Sequence, residues 1–225
     1  QFGHDERNSG LAPFPSVHTD GTCVAWKYDS PSITALQYKN SGALSRDNKV
    51  IYFGGSDNKL RAVQVIDMHE VFSVKLPGET GRGMWTTPAV GTLPPASTTD
   101  IVYIGSEDGN VYALDVASCP GTDCIFWQRK VNNAIRGPVC LSGDMQILVA
   151  STSNTSDTEG ELNAFNSVSG APQWTFKAMS KDGQKWWGLH QVPSIDRSRG
   201  FLIYLAYGDR VVAISATNGT VIAEA

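Results

Sequence analysis

Ile101–Val116, IVYIGSEDGNVYALDV, has a counterpart 51 residues upstream, IYFGGSDNKLRAVQV, with no gap between the two. Tyr52 answers Tyr103, Gly54 answers Gly105, Asp57 answers Asp108, Leu60 answers Val111 and Ala62 answers Ala113. A self-match at such a period requires stacked supersecondary units and constrains the fold more than any local motif. Inside the second copy, apolar and small residues alternate on both sides of the polar turn Glu107-Asp108-Gly109-Asn110. Asp-Gly supplies the positive φ of a tight hairpin turn there.

Two weaker copies follow. Ile147–Ser151 resumes at Gly160–Phe165 after the polar insertion Thr152–Glu159, and the last copy is Leu202–Ile214. Each hairpin is followed by a short strand with one large residue, Phe72, Trp127 or Trp174, and Trp26 stands before the first hairpin. Each later hairpin is preceded by another strand, TTPAV, RGPVC or QVPSI. These strands place Pro88, Pro138 and Pro193 in one register, with Gly42 at the matching place in the first copy. Proline is tolerated at a strand's first residue, where no ladder bond is needed. Four-stranded units repeated at about 40 to 50 residues are the pattern of propeller blades. The expectation is an all-β β-propeller of four-stranded antiparallel blades, roughly 36–77, 84–132, 134–179 and 188–225. A leading segment with an extra strand covers 1–35, and the whole of 1–225 is one propeller domain or a portion of one.

Pro88-Ala89-Val90, Val102–Asp115 and Trp127 resemble the pyrroloquinoline-quinone-like repeat of quinoprotein-type β-propellers almost letter for letter. Gln1–Pro13 is similar to the segment with which such propellers begin. The family resembled spans quinoprotein dehydrogenases, bacterial outer-membrane assembly lipoproteins and non-catalytic lumenal or secreted sensors and scaffolds, so the fold does not select the function. The resemblance implies a ring of about seven or eight blades, more than the four recognised here. The chain is then a portion of a larger propeller, a closed four-blade ring, or one part of a ring or assembly completed by other chains through open blade edges.

The net charge is −4 with no Lys/Arg run, which argues against nucleic-acid binding, and no stretch reaches transmembrane-helix length. Cys119 and Cys124 flank Pro-Gly-Thr-Asp between two strands; they are read as a local disulfide in an oxidising compartment or as two free thiols. Cys140 lies on an expected innermost strand as a buried thiol, and Cys23 is undecided. Asn154-Thr-Ser and Asn218-Gly-Thr are glycosylation sequons in expected hairpin loops. With the cysteine pair they point to a secreted, lumenal or otherwise extracytoplasmic protein.

The resemblance raises a quinone cofactor. The sequence has neither the adjacent Cys-Cys pair of the quinoprotein dehydrogenases nor an acidic residue just before the innermost strands. Two to three residues before the proline register, at one end of the expected channel, stand Trp85, Arg136 and His190, with Trp187 nearby. Aromatic and Arg side chains dominate interface energetics, so these four form the candidate interaction cluster. The competing reading packs the tryptophans between blades, uses Arg136 to cap a loop carbonyl and leaves His190 as a satisfied polar residue. The sequence therefore reads as a non-catalytic, extracytoplasmic scaffold with protein or glycan partners. No cofactor, metal or catalytic residue is assigned. A pyrroloquinoline-quinone-dependent oxidoreductase, or a subunit that self-associates through blade edges, are the alternatives.

Overall fold

The computed structural model describes residues 40–78, 83–93, 99–119, 124–142, 146–152, 160–179, 189, 193–196, 202–207 and 210–225, with backbone alone for 146–152, 202 and 204–207. Trp26, Cys23, Asn154, Trp187, His190 and the segment 1–35 lie outside the described residues.

Among these residues the chain forms strands and turns, arranged as four antiparallel four-stranded sheets. The first is β1 (Ala43–Leu44), β2 (Val50–Gly54), β3 (Lys59–Gln64) and β4 (Glu70–Lys75). The second is β5 (Ala89–Gly91), β6 (Ile101–Gly105), β7 (Asn110–Asp115) and β8 (Ile125–Lys130). The third is β9 (Ala134–Leu141), β10 (Gln146–Thr152), β11 (Glu161–Asn166) and β12 (Pro172–Lys177). The fourth is β13 (Ser194–Asp196), β14 (Leu202–Tyr207), β15 (Arg210–Ser215) and β16 (Val221–Glu224). Strand order within each sheet follows the chain, so every sheet is a meander and the fold is a β-propeller.

The hydrophobic cores lie between sheets rather than within them. Leu60, Ala62 and Phe72 of the first sheet pack with Val102, Ile104, Tyr112 and Leu114 of the second. The alternate side chains of the second sheet, Ile101, Tyr103, Val111, Ala113 and Trp127, turn to Ile135, Val139 and Phe165 of the third. A third core joins Leu162 and Ala164 to Ile203, Val212 and Ile214. Central strands are therefore apolar on both faces, which is why IVYIG and VYAL carry almost no polar alternation.

In the second and third sheets the large residue of the outer strand grips the next sheet. Trp127 Nε1 donates to the Ser167 carbonyl at 3.0 Å, and a Cβ added at Gly170 (φ +66°) would lie 2.7 Å from its ring. One sheet on, Trp174 Nε1 donates to the Ala216 carbonyl at 2.8 Å, and its ring covers Gly219 (φ +72°) in the same way. Glycine suits this left-handed turn position because any Cβ would be strained and would collide with indole. In the first sheet Phe72 takes the gripping position, in the core that also holds Cys119 and Cys124. Those cysteines form a disulfide with Cα atoms 5.1 Å apart, across the turn that corresponds to the Gly170 turn.

The structure corrects the proline register. Ala89 pairs with Tyr103 and Ser194 with Tyr204, so Pro88 and Pro193 directly precede their strands. Pro138 lies inside β9, one residue earlier than its counterparts, since Cys140 rather than Val139 takes the place of Ala89. The ladder shifts between Val149 and Ser151, whose partners are Val139 and Ile135. Arg136-Gly137-Pro138 thus form a bulge, a second setting in which a strand accommodates proline.

Candidate functional site

Correcting that register redraws the channel mouth. Met84 N–H donates to the Gly55 carbonyl and Ile135 N–H to the Ser106 carbonyl, both at 3.1 Å. These are the same bond in consecutive blades, so Trp85 and Arg136 occupy equivalent positions, each four residues before the strand residue paired with its hairpin. By the same count His190 stands four residues before Ser194. Its placement, like that of Trp187, lies outside the described residues.

Trp85 and Arg136 each meet the hairpin turn of the preceding blade. Arg136 Nε donates to Glu107 Oε1 at 2.6 Å, and the Glu107 side chain is only 9% exposed against 36% for Arg136. Glu107 in turn donates its backbone N–H to the Gly83 carbonyl at 3.1 Å. A Cβ at Gly83 would lie 2.7 Å from Trp85 Nε1 and 2.5 Å from Ser56 Cα, so the indole lies against the first hairpin's turn. Trp85 is half-buried. Beneath them Thr86 exchanges two hydrogen bonds with Gly105, at 2.9 and 3.0 Å, and Asn40 Nδ2 donates to the Gly54 and Met84 carbonyls. A buried carboxylate fixes the Arg136 guanidinium.

Arg136 does not cap a carbonyl through Nε; its partner is Glu107. The sequence presented Glu107-Asp108 only as turn residues, and the opposite charge of Arg136 was the one available signal. Asp57 likewise does more than shape its turn. It forms a buried ion pair with Arg61, bonding at 2.5 and 3.0 Å. Burial alone would raise the Asp57 carboxyl, but the Arg61 hydrogen bonds and charge and the Lys59 N–H hold it below its ordinary value.

Of the remaining candidates, Asn218 is exposed in the last hairpin turn, where its Oδ1 accepts from the Thr220 N–H and hydroxyl at 3.1 and 2.8 Å. Cys140 is buried, and burial pushes its thiol up to about 12. The disulfide lies in an outer turn between β7 and β8, away from the innermost strands, and among the described residues no three His, Cys, Asp or Glu side chains gather to hold a metal ion. Trp85 and Arg136 thus hold equivalent positions on consecutive blades, one a half-buried indole and the other a cation anchored by Glu107.

The family model described as outer membrane protein assembly factor BamB matches residues 68–225. BamB of Escherichia coli is 32% identical over 142 residues, 61% of this chain and 34% of that protein. BamB of Salmonella typhimurium is 31% identical over 146 residues, 63% of this chain and 35% of that protein. The chain thus matches about a third of the length of these relatives. Among solved structures, BamB from Moraxella catarrhalis superposes with a TM-score of 0.57 at 17% identity, covering 90% of this chain and 53% of that one. A quinohemoprotein alcohol dehydrogenase from Comamonas testosteroni superposes with a TM-score of 0.63 at 12% identity, covering 84% and 35%. At these identities the structural likenesses establish the propeller fold alone.

Proposed function

The chain belongs to the outer membrane protein assembly factor BamB family, and on that premise we propose that it is a non-catalytic, extracytoplasmic propeller scaffold that binds proteins during outer membrane protein assembly. The observation that carries this reading is the family match over residues 68–225. The fixed Arg136–Glu107 pair, at the position that Trp85 holds one blade earlier, adds a preordered cation and an aromatic that suit protein partners. The four sheets are taken as consecutive blades of a larger propeller. The partners are proteins: the relatives named above are called assembly factors, and none is named for glycan binding or self-association.

A photo-crosslinking side chain at Trp85, in protein produced in Escherichia coli, tests the reading. Adducts identified by mass spectrometry as outer membrane assembly proteins, obtained from Trp85 but not from the 86% exposed Ile66, are the expected result. Equal labelling from both positions, or no protein adduct from Trp85, overturns it. Arg136→Glu is expected to weaken the same adducts and the added Glu107→Arg to restore them, because the swap rebuilds the pair.

A further inference from the structure

Ala62, Ala113, Ala164 and Ala213 pair with equivalent residues of their outer strands. The residue before each of them is therefore one structural position, held by Arg61, Tyr112, Asn163 and Val212 in turn. In the second sheet Tyr112 points back at the first, is fully buried in the core between them, and donates its hydroxyl to the Pro77 carbonyl. Its ring fills that slot. In the third sheet the same position is Asn163, smaller by a whole ring, and the slot facing the second sheet is a cavity of about 190 Å³. Its floor is Val131 and Phe165, 7% and 4% exposed, and Asn163, 7% exposed, forms a wall. Its rim carries Lys130, Asn132 and Thr175, all exposed, so the cavity is reached from outside.

The polar end of the slot is also repeated. Leu76 N–H donates to the Asn58 carbonyl at 3.0 Å, and Val131 N–H to the Gly109 carbonyl at 2.8 Å, the same bond one blade on. Asn132 thereby stands where Pro77 stands, and its carbonyl corresponds to the one that receives the Tyr112 hydroxyl. Asn163 Oδ1 accepts from the Thr175 hydroxyl at 2.9 Å, adding a polar wall beside an apolar floor. An apolar cavity of about 150 Å³ holds benzene. This pocket has comparable volume but is open to solvent and lined by both polar and apolar groups, and with a carbonyl in the place that Tyr112 uses it suits a phenol. Lys130 is the charged side chain on the wall, and it gives one of its three donors to the Asp108 carbonyl.

We infer that the cavity between the second and third sheets is a socket for a tyrosine side chain of a partner protein, with an acidic residue next to that tyrosine met by Lys130. The protein nature of the partner rests on the scaffold reading, whereas the socket's preference for a phenol does not. The probes are p-cresol, toluene and a short peptide with tyrosine between two aspartates, titrated into the full chain and followed by amide and methyl shifts. Saturable shifts at Val131, Ala164 and Phe165 with p-cresol, and weaker ones with toluene, are expected. Asn163→Tyr supplies the ring from within and is expected to lower p-cresol affinity by about tenfold or more while keeping or raising the melting temperature. Lys130→Gln is expected to weaken the peptide and leave p-cresol unchanged. Absence of saturable shifts in the parent chain, or p-cresol binding unchanged in folded Asn163→Tyr, overturns the socket. Binding of p-cresol without the peptide overturns the partner assignment while leaving the wider scaffold reading to the crosslinking result.

Discussion

Arg61 is 1% exposed, and Asp57 is its bidentate partner, with Glu70 a further 3.9 Å contact. A buried cation stripped of its anion is far more costly than an exposed one, so Asp57→Ala is expected to cost about 3–5 kcal/mol in urea unfolding. The pH dependence has a definite sign. The folded Asp57 carboxyl titrates below its unfolded value of about 3.9, so its contribution is present above that pH and lost as pH falls through the lower folded value. The parent chain should lose stability on acidification below about pH 4, and Asp57→Asn should lack that part of the loss. Cys140 makes the opposite point. Its thiol is raised to about 12 and buried, so a thiol reagent at neutral pH should label it only on unfolding. The sequence identified Cys140 as a buried residue because one apolar strand surrounds it. It hid both ion pairs, because Asp57 and Glu107 sit in turns whose geometry already explains an acidic residue.

At the scale of the element, the repeat was readable wherever hairpins are short. It blurred in the third unit, where residues 152–159 interrupt it and a bulge offsets Pro138 by one position. A bulge adds residues to one strand without changing its composition, so only the pairing reveals it. The outer-strand grip, by contrast, was visible as a large residue at the repeat period. Two substitutions separate its parts. Gly170→Ala forces a Cβ into the left-handed region and into the Trp127 ring, and should cost roughly 2–4 kcal/mol. Trp127→Phe keeps a ring and removes one donor. Ser167 still receives the Tyr103 hydroxyl at 3.3 Å, so its carbonyl is not orphaned and the loss from that bond should be only about 1 kcal/mol. Thermal melts of the two variants side by side would expose a wrong ranking.

For the whole molecule, stability resides between sheets, and the groups buried there set its alkaline limit. Burial raises the phenols of Tyr52, Tyr103 and Tyr112, that of Tyr103 to about 12. A raised phenol contributes stability that is complete below the unfolded value of about 10 and is lost as pH rises towards the folded value. Melting temperatures followed across that window should therefore fall steeply, and a flat profile would contradict the burial described here. The Cys119–Cys124 bridge closes a loop with a sequence separation of 5, for which chain entropy gives about 2 kcal/mol. Reduction should lower the stability measured in urea by about that amount without unfolding the chain.

The grip of Trp127 on Gly170 and of Trp174 on Gly219 also has a direction: each blade holds the one synthesised after it. A growing chain cannot seal either of these blades until its successor has emerged, so the second and third blades each wait with an indole uncovered. Folding is thereby tied to the order of synthesis, and each latch closes one step behind the emerging polypeptide. The indole emission of Trp127 and then Trp174 should shift in that order as successive blades appear, which makes the tryptophans a running clock of ring assembly.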